Sequence, residues 1–435
     1  MPFLHFGRCA LSAILRQTIF NKNLMKTQNR TLGAFEKTFW LLDLIDSKDF
    51  ALAADIEGKK SVAEWQRALE KVQQRHPNLC VRITMDKFAR PVLRHVDHAT
   101  IPLKILNVAN NYDWEQEVEK ELAFRFNTAE GPLLRAVVVQ KPENTVLILI
   151  GHHAVADGTS ISYLVRDLLL AITGTGLAAM EPQLSNDETL GFPEDEAGDE
   201  TIVFGEAALL LNEVRTFEPK ISSIRFNAGL TRDLIETSRE HKTTVHAALC
   251  AAVLIASRNM RPEWAEKKIE MISPVCSRKA LQLDDNYGLN ITTHPVFFED
   301  EQNLPFWEIA RLAKAGLAGT DTVAHVQNYI GFFRELAFHT KDTGQIVEVL
   351  KNAFNQEIMV TNLGSVKYDT DFGSLRLKAL YGPMVRSGKG NEQTIGAITS
   401  NGSLCLTNTS DKPIDGLLQA MQKILEDACR KTQTV

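Results

Sequence analysis

The chain has 435 residues, 44% of them hydrophobic and 23% charged, with 25 glycines and 15 prolines, the composition of a folded globular protein, which excludes collagen-like and disordered chains. At roughly 100–200 residues per domain the length predicts two or three domains with a sizeable core. Lysine and arginine number 48 against 54 aspartates and glutamates, a net charge of −6, so there is no basic excess to hold a nucleic acid by counterion release.

In chain order, the first stretch has no acidic residue before Glu36, while Arg8, Arg16, Lys22, Lys26 and Arg30 alternate with apolar side chains. Residues 1–31 are read as a poorly ordered leader, with Met25 as an alternative start. Ser61 and Glu64 have capping-box spacing, and Val62, Trp65, Ala68, Leu69 and Val72 recur at helical intervals up to His76-Pro77, which predicts an amphipathic helix. A strand over Leu79–Met85, a helix around Trp114–Phe124 and a hairpin of Leu133–Val139 with Thr145–Ile150 follow. From Gly174 to Thr201 the acidic residues Glu181, Asp187, Glu188, Glu194, Asp195, Glu196, Asp199 and Glu200 meet no lysine or arginine, which reads as an exposed acidic crossover.

The second half opens with a helix over Leu234–Glu240 and an Ala-rich buried helix capped by Thr243 or Thr244, then a strand over Ile269–Val275. Strands are expected at Ile358–Val360, Leu375–Leu380, Thr394–Ile398 and Ser403–Leu406, the last two turned at Asn401-Gly402, before a closing helix over Ile414–Cys429. Strands and helices mix without a βαβ rhythm, so the fold class is α/β, with mixed sheets in two layered domains. The boundaries expected are 32–173 and 202–435, with the crossover at 174–201. The 6 cysteines form no C-x-x-C pair, which fits a reducing cytoplasm. No uncharged apolar run approaches the ~20 residues a membrane-spanning helix needs.

Chemistry concentrates in Gly151-His152-His153-Ala154-Val155-Ala156-Asp157-Gly158, between a predicted strand and a predicted helix, where a fold can hold polar groups over a cleft. A metal site would need a third ligand beside a histidine and Asp157, and no H-E-x-x-H or cysteine partner is present, so no metal is expected. Gly158-Thr159-Ser160-Ile161-Ser162 lacks the closing glycine of a nucleophile elbow. General-base catalysis by a histidine remains, and needs no nucleophile from the protein. Gly174-Thr175-Gly176-Leu177-Ala178-Ala179 follows a helix rather than a strand, so it is no dinucleotide fingerprint. Gly382–Gly390 has the wrong spacing for a phosphate loop.

The run from His152 to Gly158 matches the H-H-x-x-x-D-G signature of the condensation-domain and chloramphenicol-acetyltransferase-like acyltransferase superfamily. Arg75-His76-Pro77, Gly131-Pro132-Leu133-Leu134-Arg135, Ser273-Pro274-Val275 and Thr361-Asn362-Leu363-Gly364 resemble its other segments in order. Within it the chain looks most like free-standing alcohol acetyltransferases and polyketide-associated acyltransferases. The resemblance implies two domains of one topology around a tunnel, with His153 as the base and His152 in support. It implies that Asp157 turns away from His153 to form an ion pair with an arginine of the second half, Arg278 before Arg258, Arg261 or Arg386. It also implies that Gly158 lets the backbone approach the reacting thioester. Asn362 and the Gly158 backbone are candidate oxyanion donors. The expected activity is acyl transfer from a coenzyme A or carrier-protein thioester to an alcohol, with no bound cofactor. Amide formation and a non-catalytic acyl- or carrier-binding module are the alternatives. The partners expected are the acyl donor, a small hydroxyl-bearing acceptor and a carrier protein, for a monomer.

Overall fold

The computed structural model describes residues 29–193 and 218–430, apart from 46, 89, 300, 302, 340–345, 347, 351–354 and 388–389. The leader up to residue 28 and the crossover beyond residue 193 lie outside the described residues. The strands are β1 (Arg30–Thr31), β2 (Asp49–Glu57), β3 (Val81–Met85), β4 (Pro91–His95), β5 (Leu103–Asn107), β6 (Leu134–Gln140), β7 (Asn144–His152), β8 (Lys220–Arg225), β9 (Ile269–Cys276), β10 (Ile291–Phe298), β11 (Ile358–Ser365), β12 (Arg376–Val385), β13 (Gln393–Ser400) and β14 (Ser403–Ser410). They form a 3-stranded sheet ordered β1-β4-β3, a 5-stranded sheet β12-β2-β7-β6-β5 and a 6-stranded sheet β10-β9-β11-β13-β14-β8. β5–β6, β9–β11 and β11–β13 are parallel and the other pairs antiparallel, so the larger sheets are mixed.

The helices are α1 (Ala34–Ile45), α2 (Val62–Arg75), α3 (Glu115–Ala123), α4 (Gly158–Ile172), α5 (Asn186–Thr189), α6 (Ala228–Glu240), α7 (Val245–Met260), α8 (Arg278–Leu281), α9 (Phe306–Gly316), α10 (Val323–Arg334) and α11 (Leu417–Arg430). α2 starts where its capping box places it: the Ser61 hydroxyl accepts from Glu64 N–H at 3.3 Å, and the Glu64 carboxylate accepts from Ser61 N–H at 2.8 Å. α7 is capped by Thr244 and buries an unbroken run from Ala247 to Leu254, because small side chains let α9 and α11 pack against it. At the β13–β14 turn, Asn401 and Gly402 both have positive φ, 49° and 71°, the two-residue hairpin that their sequence favours.

Two features differ from the sequence reading. The acidic crossover is only partly exposed over its described part: Gly174, Thr175, Gly176, Glu181 and Glu188 are exposed, but a stretch between them turns inward. Gln183, Ser185, Asn186 and Asp187 are buried, since Asp187 pairs with Arg334 at 2.8 Å and Glu188 lies 3.5 Å from Arg30. Partners distant in sequence supply the compensation that the local charge run lacks. The second difference is that β12, a strand of the second half, pairs antiparallel with β2. The first half's sheet is therefore completed by chain that follows the crossover.

That pairing brings β12 over β13 at close quarters. A Cβ on Gly396 of β13 would collide with the Pro383 carbonyl, and one on Gly158 would stand 2.5 Å from Pro383 Cγ. Gly396→Ala is expected to cost about 1–3 kcal/mol, the usual penalty of overpacking, seen as a lower urea midpoint with an unchanged slope. An unaltered midpoint would show that the strands can separate at no cost.

Candidate active site

The site is assembled where β7 ends. Asp49 is paired with His152 in the β2–β7 ladder, and the next step along it is the Lys48 carbonyl accepting His153 N–H at 3.2 Å. The His153 ring is stacked against Phe39 of α1 and against Phe50 of β2, with centroids 4.8 and 4.1 Å away and interplanar angles of 27° and 22°. Its Nδ1 lies 3.1 Å from the Ala156 carbonyl. A carbonyl can only accept, so Nδ1 carries the proton and Nε2 holds the lone pair. Burial pushes the imidazole down to about 4, against the opposing pull of the Ala156 carbonyl and the Asp157 charge. The ring is thus a neutral acceptor throughout the physiological range.

Asp157 takes no part in that hydrogen bond. It caps α4: Oδ1 accepts from Ser160 N–H at 2.8 Å and from the Ser160 hydroxyl at 3.1 Å. Oδ2 accepts from Arg278 Nη1 at 2.7 Å and from Asn290 N–H at 2.8 Å. Arg278 also donates to the Ser160 hydroxyl at 2.7 Å and to the Gly288 carbonyl at 3.1 Å. Of the other arginines weighed on sequence, Arg258 pairs with Glu301 at 2.8 Å, Arg261 donates to the Asn391 and Lys412 carbonyls, and Arg386 lines the cleft described below.

His152 points the other way, into a buried cluster with Asp43 and Asp49. Its Nδ1 accepts from Ala154 N–H at 3.0 Å, which leaves the ring proton on Nε2, 3.5 Å from Asp43 Oδ2. Asp49 is fully buried with no hydrogen-bond partner on either carboxylate oxygen among the described residues, and burial, with the Asp43 charge beside it, pushes it up to about 6. The cluster has the donor types of a cation site, but the tautomer does not suit one. A metal at Nε2 would need the lone pair there and a proton on Nδ1, where the Ala154 N–H already donates.

A narrow cleft opens at His153, with about 100 Å³ of free space. Asp157, Gly158, Thr159 and Asn362 share its lining with His153, while Arg278 stands behind Asp157 and His152 behind the sheet. Gly158 has a steric reason on its own side of the cleft, the contact with Pro383. Asn362 Oδ1 accepts from Gly364 N–H at 2.8 Å, so its amide nitrogen is the end that can donate into the cleft. Sequence reasoning missed Phe39, Phe50, Lys48, Pro383 and Asn290. No local motif marks any of them, because each reaches the site through pairing between distant segments.

The condensation-domain family matches residues 50–176, and the family described as phthiocerol/phthiodiolone dimycocerosyl transferase C-terminus matches residues 216–282. Among solved structures, polyketide synthase associated protein 5 from Mycobacterium tuberculosis superposes with a TM-score of 0.64 at 16% identity, covering 92% of this chain and 97% of that one. The first condensation domain of the CDA synthetase gives 0.65 at 16% identity, covering 92% and 96%. Residues 50–176 carry the condensation-domain match, and the fold is that of condensation domains. The likeness to the curated relatives is partial. Surfactin synthase subunit 2 of Bacillus subtilis (strain 168) is 23% identical over 305 residues, 65% of this chain and 8% of that protein. A hybrid PKS-NRPS synthetase, LUC5 of a Fusarium species, is 30% identical over 168 residues, 35% of this chain and 4% of that protein. The match to this chain thus takes up less than a tenth of either length. No helix among its described residues is long and apolar enough to cross a membrane.

The buried Asp157–Arg278 pair yields a direct test. Asp157→Ala or Arg278→Ala alone strands a charge and is expected to destabilise by about 3–5 kcal/mol. The double variant should lose less than the sum of the two, because the interaction is removed once. Additive losses in a denaturant double-mutant cycle would mean that the two side chains do not depend on each other.

Proposed function

We propose that the protein transfers an acyl group from a thioester, on coenzyme A or a carrier protein, to the hydroxyl of a small-molecule acceptor, with His153 as general base. The observation that carries this reading is the His153 ring itself, with its proton fixed on Nδ1 by a main-chain carbonyl and its Nε2 lone pair left as the acceptor in a cleft. The condensation-domain match over residues 50–176 supports an acyl- or condensation-type transferase. The O-acyl assignment and the choice of donor are ours.

The acceptor O–H gives its proton to Nε2 as its oxygen attacks the thioester carbonyl carbon, and the carbonyl electrons move to oxygen. Donors at that oxyanion are worth about 2.7–4 kcal/mol each where preorganised, and the Asn362 amide and Gly158 N–H are the candidates. Collapse breaks the C–S bond, and the thiolate recovers the proton from Nε2–H. The products are an ester and a thiol, with no covalent intermediate on the protein. Phe39 and Phe50 both stack on the imidazole, so their π-faces favour the imidazolium as it forms. An amine acceptor would use the same residues and give an amide.

Thiol release from a panel of acyl-coenzyme A and acyl-carrier donors, with alcohols, amines or no acceptor, tests this reading. Release that depends on an alcohol supports ester formation, release that depends on an amine moves the assignment to amide formation, and none with any pair overturns acyl transfer. His153→Ala is expected to lower the rate about 10²–10⁴-fold with the fold intact, and His152→Ala to cost less. A more damaging His152→Ala, with both proteins folded, would reverse the roles.

The pH profile carries the sign of the His153 shift. A lowered pKa keeps the base form present to lower pH, so kcat/KM should stay level as pH falls from 8 to about 5 and drop as the ring protonates near 4. An ordinary imidazole would lose activity through ~6.5, and a profile breaking there would show His153 to be solvated or replaced as the base.

A further inference from the structure

The space beside His153 limits what a donor can carry into it. The cleft has about 100 Å³ of free space. An engineered apolar cavity of about 150 Å³ holds a benzene ring, so the cleft has room for about four carbon atoms with its lining in place. Lys48 and Arg386 share that lining, but both have partners within the protein, and the buried Glu392 carboxylate interacts with Lys48. The rest of the wall is largely apolar, with Phe39, Leu42, Met359, Leu363 and Val385.

The register of the six-stranded sheet shows where the space ends. One face of that sheet floors the cleft, with Ile291 opposite Cys276 and Thr293 opposite Pro274 on β10 and β9. Thr361 and Met359 of β11 join them, two residues apart and therefore on one face. Cys276 is exposed and marks the rim, whereas Thr361 and Met359 are buried. Met359 pairs with Ile272 on one side and Thr394 on the other, and among the described residues neither of these lines the cleft. Met359 thus stands at the inner end, about 7 Å along the strand from Thr361. Next to it, Thr394 shares a hydrogen bond at 2.8 Å with Ser387, which ties the chain after β12 to β13 at that end. A pantetheine arm is tied to a bulky coenzyme A or carrier protein, so it enters at the rim and its acyl chain points inwards, towards Met359.

We propose that the donor is a short-chain acyl thioester, acetyl to butanoyl, and that Met359 sets this limit as the side chain at the end of the acyl pocket. The inference rests on the acyl-transfer reading for its chemistry, but the pocket can be measured by binding alone. The probes are the S-ethyl, S-butyl and S-octyl thioethers of pantetheine, whose chains cannot be transferred, titrated calorimetrically into the full chain. S-butyl should bind roughly tenfold more tightly than S-ethyl, since each buried methylene adds roughly fourfold. S-octyl should bind roughly tenfold or more below S-butyl, because further methylenes overpack the inner end. Met359→Ala should raise the affinity for S-octyl relative to S-butyl by about tenfold.

S-octyl binding as tightly as S-butyl in the wild-type protein overturns the length limit without recourse to any variant, and so does an absence of binding by all three probes. A limit that a folded Met359→Ala protein retains removes Met359 as its cause. The two readings fail separately. Binding of the short thioethers with no thiol release from any donor retains the pocket and removes acyl transfer, whereas octanoyl transfer as fast as acetyl transfer retains acyl transfer and removes the limit.

Discussion

The Asp157 carboxylate is the contact on which the site depends. A buried carboxylate is tolerated only when its lone pairs are engaged, and here each oxygen has two donors: Ser160 N–H and hydroxyl on one, Arg278 and Asn290 N–H on the other. The first pair starts α4 and the second ties that helix to β10 and α8 of the second half. One side chain therefore fixes both the local turn after His153 and the approach of the two halves across the cleft. With Asp157 engaged in this way, His153 is oriented by a main-chain carbonyl instead. A neutral carbonyl fixes the tautomer without adding the full negative charge that would raise the ring's basicity, which is consistent with a base that burial holds near 4.

A second constraint is the seat of Pro383. β12 leaves the second half to complete the first sheet, and its proline packs where side chains are absent at Gly158 and Gly396. The glycine of the signature is thus required by the seam between halves. The same strand then delivers Val385, Arg386 and Ser387 to the cleft, so the pairing that closes the sheet also supplies part of the binding surface.

The sequence made legible those parts that local chemistry dictates. The Ser61 and Glu64 box, the Asn401-Gly402 turn and the strand–signature–helix order each follow from a few neighbouring residues. β2 escaped because it is an inner strand covered on both faces: from Asp49 to Ala54 every residue is buried, so no alternation is written into it, and its alanines are poor strand formers. With β2 unrecognised, Phe50 and Lys48 could not be placed beside His153. Spacing alone offered no choice among Arg278, Arg258, Arg261 and Arg386; the resemblance made that choice. The buried part of the acidic run escaped for the complementary reason, since Arg334 and Arg30, which meet Asp187 and Glu188, are remote in the chain.

The low basicity of His153 bears on how such a site would discriminate between acceptors. Burial is the main cause; the charges of His152 and Lys48 add to it, while that of Asp157 opposes it. A weak base in a cleft that also admits water is a poor catalyst of thioester hydrolysis, because little driving force exists for taking a proton.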